Sequence, residues 1–161
     1  MKIKNGSNII SFTKVSLPFG WLGNMSPYPI QYDDVQWKTT EHLFQALRFA
    51  EKSPIREEIR IQKSPMGAKF VAKKYNSDRI IEKLSEQDLN NMCLCLKLKV
   101  DAHPHLKGWL LATEEKTLIE DVSSRPRKND PWGMVLSDDV WEGENLLGNM
   151  WMALRKTLTY D

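Results

Sequence analysis

Residues Thr39–Ala50 read TTEHLFQALRFA. Either threonine supplies an N-cap, because a hydroxyl ahead of a helix accepts from first-turn amides that lack partners, and the run predicts a helix to about Glu51. Residues four and seven apart share a helix face, so Glu41, Gln45 and Arg48 form a polar stripe while Leu43, Phe44, Leu47 and Ala50 supply the other faces. The stripe covers about 10 Å of helix axis. A solvated face of an amphipathic helix has the same pattern, so the stripe alone leaves both readings open. Glu41 falls in the first turn, where the helix dipole favours negative charge. A catalytic role there uses the ionised carboxylate, as a general base or electrostatic stabiliser rather than a proton donor. His42 lies about 100° round the helix from Glu41. That position reads as a structural histidine, hydrogen-bonded through its ring near the helix start.

The same punctuation continues outward. Ser53-Pro54 and Ser64-Pro65 each predict a helix with proline in its tolerated first turn, and Ser85 precedes a longer helix to about Val100. HPHLKGWLLAT predicts a shorter helix, and ENLLGNMWMALRKTL from Glu144 a final one with an apolar stripe through Leu147, Met150, Trp151, Leu154 and Leu158. NIISF reads as a strand, YPIQYDDVQW as a hairpin about Asp33-Asp34, and TLIEDV and WGMVLS as further strands. SSRPRKND between them is a basic loop. No repeat, low-complexity segment or linker divides the chain, so the expectation is one domain over 1–161.

Composition narrows the class. The 161 residues carry 23 Lys+Arg against 21 Asp+Glu, a net +2, with 41% hydrophobic residues, which is ordinary for a globular enzyme or binding protein and advertises neither nucleic acid nor membrane. No apolar run approaches the roughly 20 residues needed to cross a bilayer, and no secretory leader is visible, so a cytoplasmic protein is expected. Cys93 and Cys95 read as free thiols, and three histidines with no CxxC or HExxH pattern call for no metal and no cofactor.

Trp21, Trp132 and Trp141 sit beside glycines or turn residues in GWLGN, DPWG and VWEGEN. Each indole either plugs a core or offers a stacking platform for a base. Asn24 and Asn145 share those stretches, where polar side chains can meet a ligand.

Four blocks in order extend the reading. TTEHLFQALRF resembles an [ST]-x-E-H-x-[FY]-Q-A-x-K signature, and GWLGNMSPYPI an FLSNF-x-x-x-P segment. IRIQKSPMGAK resembles IR-x-x-x-SPM-x-A, and NDPWGMVLSDDVWEGENLLGNMWMALR a D-x-x-WG-x-G-L…W-x-G-x-NLLG-x-x-LM-x-x-R ending. Spanning about Phe12 to Arg155, together they resemble the NADAR family of YbiA-like proteins.

That resemblance implies a compact, predominantly helical α+β domain with a few short strands, hydrolysing N-glycosidic bonds. Family substrates are ribosylated or ribosylamino intermediates of riboflavin biosynthesis or ADP-ribose on a guanine base. The resemblance places the catalytic carboxylate at Glu41, with Asp130 assisting the leaving group or holding the ribose. It puts Trp132, and Trp21 as a second candidate, against the base, with Asn24, Gln45 and Asn145 on ribose hydroxyls or base edges. His42 joins the substrate-binding set as the motif histidine.

Departures from the pattern also inform. Arg48 replaces the family lysine, which excludes a lysine-covalent route there and offers a planar fork suited to phosphate. Gly23 replaces a serine, Val135 a glycine, and Leu84 the tryptophan of riboflavin-intermediate members. Arg48 and Leu84 favour an ADP-ribosylated substrate, with ADP-ribosylated DNA as the partner and Arg125–Lys128 as a phosphate contact, over a riboflavin intermediate. A non-catalytic ADP-ribose or nucleotide reader is the alternative from another class. Oligomeric state is not legible.

Overall fold

Four helices start one residue after a hydroxyl, and in each the hydroxyl accepts a hydrogen bond from a first-turn amide. The computed structural model describes residues 1–124 and 130–159, so the expected Arg125–Lys128 contact lies outside the described residues. The architecture is α+β and predominantly helical, in two compact units: Asn24–Pro104, and Met1–Gly23 with His105–Asp161.

In the unit Asn24–Pro104, β3 (Ile30–Tyr32) and β4 (Val35–Trp37) form the expected hairpin, Ile30 pairing with Trp37. Asp33 and Asp34 both adopt positive φ, 50° and 59°, the tight turn that a two-residue hairpin loop requires. Helix α1 (Thr40–Ala46) is capped by Thr39, α2 (Pro54–Arg60) by Ser53, α3 (Pro65–Lys74) by Ser64 and α4 (Glu86–Ala102) by Ser85. Helix α1 stops short of the expected Glu51. The chain turns after Ala46, and the Arg48 carbonyl accepts from the amides of Ile80 and Ile81 instead of continuing the helix. Leu43, Phe44, Phe49, Ile59, Met92 and Leu96 are buried in this unit's core.

The other unit holds β1 (Lys2–Lys4), β2 (Ile9–Phe12), α5 (Pro104–Leu111), β5 (Thr117–Glu120), β6 (Met134–Ser137), β7 (Val140–Gly143) and α6 (Leu146–Thr157). Strands β1, β7 and β6 make an antiparallel sheet, while β2 and β5 pair in parallel with Ile9 opposite Thr117. Ile119, Met134 and Trp141 form a buried cluster against which Ile3 and Ile9 pack. Helix α6 lies on β5. Gly148 permits this approach, since a Cβ there would overlap the Leu118 carbonyl. Strands β1 and β7 were not expected, and Trp141, read as loop-borne, is buried on β7.

Candidate active site

Glu41 enters the protein through its backbone. Its amide donates to the Asn24 carbonyl at 3.1 Å, and the Thr40 hydroxyl donates to the same oxygen at 2.9 Å, which ties the first turn of α1 to the Asn24 segment. From there a hydrogen-bonded chain runs along the helix. Gln45 Nε2 donates to Glu41 Oε1 at 2.8 Å, and Arg48 Nη1 donates to Gln45 Oε1 at 3.0 Å. Arg48 Nε and Nη2 then clasp both oxygens of Asp88 on α4, at 2.7 and 2.8 Å. Glu41 and Gln45 are 6% exposed, Arg48 4% and Asp88 0%. The stripe is therefore an interior network and not a solvated face. Cys95 on α4 senses it: burial, and then the Glu41 charge, push that thiol well above its ordinary range.

Other expected site residues are engaged in holding the fold. His42 is fully buried, with Nδ1 2.8 Å from Thr39 Oγ1 and Nε2 3.2 Å from the Gln62 carbonyl. A carbonyl only accepts, so Nε2 carries the proton and Nδ1 of the neutral ring accepts from the threonine hydroxyl. Burial holds this histidine below its usual range, so it stays neutral at pH 7. Both ring nitrogens are thus engaged within the fold, the geometry of a structural histidine. Arg48 is engaged in the same way. The fork expected to meet a phosphate is closed on Asp88, and the guanidinium lies 4.3 Å from the Phe44 ring centroid.

Asn145 is fully buried, accepting from the Glu120 amide and donating to the Leu118 carbonyl. It clasps β5 to the start of α6, with both ends of its amide engaged on β5 rather than facing a ligand. Trp21 stands between Trp109 and Trp151, with ring centroids at 5.8 and 5.9 Å, so the core-plug reading fits it better than a platform; its outer face lines a cavity of about 440 Å³ beside Phe19 and Lys116. Asp130 Oδ1 accepts from the Trp132 amide at 3.1 Å, closing the turn before β6. Trp132 is half-buried, and its carbonyl accepts from Leu147. Asn24 Nδ2 points to Met92 Sδ at 3.0 Å.

The structure thus brings Asn24, Glu41, Gln45 and Arg48 together in the unit Asn24–Pro104. Asp88 completes the group, and the sequence reading missed it. In sequence, an acid three residues after a helix-capping serine is ordinary first-turn chemistry, and only its burial marks it out, since a buried carboxylate is rare without a partner. Among the described residues no group of three or more His, Cys, Asp or Glu is placed to hold a metal ion, and no helix is long and apolar enough to cross a membrane.

Comparison with known proteins agrees with the motif order. A NADAR domain family model matches residues 11–159. N-glycosidase YbiA of Escherichia coli (strain K12) is 34% identical over 160 residues, covering 95% of this chain and 90% of that protein. Riboflavin biosynthesis protein PYRR, chloroplastic, of Zea mays is 31% identical over 165 residues, covering 94% of this chain and 25% of that protein. The NMR structure of E. coli YbiA superposes with a TM-score of 0.76 at 32% identity, covering 92% of this chain and 83% of that one. Motifs, family model and fold coincide, and the chain belongs to the NADAR domain family.

Proposed function

We propose that this chain is an N-glycosidase that hydrolyses the C1′–N bond of a ribosyl substrate, with Glu41 as the catalytic carboxylate. One observation carries the proposal. Glu41 Oε1 is anchored by the Gln45 amide, whereas Oε2 has no hydrogen-bond partner among the described residues. Breaking the C1′–N bond sends the bonding pair to the base and leaves positive charge on the sugar ring. A carboxylate held at one oxygen can meet that charge with the other, or use it to take a proton from the attacking water. Because the anchor is set before substrate arrives, little reorganisation is needed during reaction. Asp130 and Trp132 enter this reading by resemblance alone.

The relatives named as N-glycosidases support the reaction class. The finer reading is release of ADP-ribose from a modified nucleobase, guanine in DNA, and Leu84 in place of a tryptophan supports it. Arg48 no longer does, since Asp88 occupies its fork. A second reading, hydrolysis of a riboflavin-pathway ribosylamino intermediate, is favoured by the name of the maize relative. Mass spectrometry of products from both substrates, offered side by side, separates them. Free ADP-ribose alone supports the first, ribose phosphate the second. Binding of ADP-ribose with no product from either would replace both by a non-catalytic reader.

A further inference from the structure

We propose that Asp88 is a positioning residue for Glu41, acting through Arg48 and Gln45 to fix which end of the glutamine amide faces the carboxylate. This rests on the reading of Glu41 as the catalytic carboxylate. A glutamine side chain has nearly the same shape at both ends, and only the direction of its hydrogen bonds separates them. With Nε2 toward Glu41 the amide donates and holds the carboxylate. Turned over, it would present a carbonyl oxygen to a carboxylate oxygen at 2.8 Å, and the two would repel.

Arg48 prevents the turn. A guanidinium has donors and no acceptor, so the end of Gln45 facing Arg48 Nη1 must be Oε1. Asp88 in turn keeps Arg48 in place, because a bidentate carboxylate fixes the guanidinium plane as well as its distance. Asp88 is itself held, its Oδ2 accepting from the Leu84 amide at 2.9 Å and its own amide donating to Ser85 Oγ at 3.3 Å. Leu84 adopts φ 63°, and this left-handed turn aims its amide at the carboxylate.

Each hydrogen bond in the series therefore has a forced direction, ending at Glu41. All four side chains are buried, so water is poorly placed to replace a lost member. Asp88 also faces a second cation: Arg79 is held below the usual arginine range by burial and then by the Arg48 charge, and Asp88 opposes that shift. Asp88 has no exposed surface, and its role reaches substrate only through Glu41.

A purely structural ion pair would behave differently. Replacing both partners by apolar residues of similar size commonly preserves stability, whereas removing one leaves a buried charge. The test compares Asp88→Asn, Arg48→Met, Arg48→Lys and the double variant Arg48→Met/Asp88→Leu with Glu41→Gln, on the substrate that the wild-type chain cleaves. The double variant is expected to melt near wild type yet lose about ten- to a hundred-fold in kcat with KM within about three-fold, as misplaced catalytic groups do. Arg48→Lys keeps a donor-only group facing Gln45 and should retain about ten-fold more turnover than Arg48→Met.

Asp88→Asn leaves the buried Arg48 guanidinium without its carboxylate and risks misfolding. The double variant and the exchange protection of the Gln45 side-chain amide protons, read by NMR, do not depend on it. Those protons should be protected in wild type and exposed in Arg48→Met. If Glu41→Gln is inactive while the double variant turns over like wild type, or the Gln45 protons stay protected, the positioning role is wrong and the Glu41 reading stands. If Glu41→Gln turns over like wild type, the Glu41 reading falls and takes the positioning role with it.

Discussion

At the scale of single residues, the motif around Glu41 combines two kinds of side chain that the sequence does not distinguish. Glu41 keeps one oxygen without a hydrogen-bond partner among the described residues, whereas His42, its neighbour, has both ring nitrogens occupied inside the fold. Both lie on α1 where their spacing places them, and the angle of His42 from Glu41 matches its structural hydrogen bonds. Spacing could not show that Arg48 is closed on Asp88, forty residues away, because that pairing comes from tertiary packing and leaves no local pattern. His42 yields a pH prediction. Its folded pKa lies below the unfolded value of about 6.5, so as pH falls through that value the unfolded chain takes up the proton first and stability drops. Thermal midpoints between pH 7 and 5 should fall for wild type and fall less steeply for His42→Gln. An identical slope in the two proteins would show that burial does not lower the pKa of this ring in the folded state.

Elements show why some of the fold was legible and some was not. The helix starts were legible because serine or threonine followed by proline or an acid has a local physical consequence, and so was the Asp33-Asp34 turn. Strands β1 and β7 were not, because KIK and VWEG are short and only partly buried, so no alternation stands out. The start of α4 after Ser85 was legible, but not that the helix also buries Asp88, Asn91 and Lys99. Lys99 is fully buried, donates to Ser26 Oγ at 2.7 Å, and is pushed by burial down to about 7. The unfolded lysine titrates near 10.4. From pH 7 upward to that value the unfolded chain holds a proton that the folded chain lacks, so stability should rise with pH across this window, by about a few kcal/mol in total. Urea midpoints at pH 7 and 9.5 should show the rise, and Lys99→Met should flatten it. At the contact of α6 with β5, Gly148→Ala forces a methyl into the Leu118 carbonyl and should cost about 1–3 kcal/mol. Asn145→Ala leaves two buried backbone groups of β5 unpaired and should cost about 2–4 kcal/mol in the same denaturation assay.

For the whole molecule, four ordered motif blocks indicate the family from sequence, and the match over residues 11–159 spans them. They were a weaker guide to roles. A motif asparagine such as Asn145 recurs equally well for clasping a strand as for touching a ribose, and only its hydrogen bonds separate the two. In the proposed function, the Glu41 oxygen with no hydrogen-bond partner among the described residues joins the network in the unit Asn24–Pro104 to glycoside chemistry. The most direct test is the single-turnover rate of Glu41→Gln on the cleaved substrate, measured beside its binding affinity. The rate should fall by about a thousand-fold or more, in the range expected for losing a catalytic carboxylate, while affinity stays within a few-fold. A rate within ten-fold of wild type, in a folded protein that still binds, would contradict the assignment of Glu41 as the catalytic carboxylate.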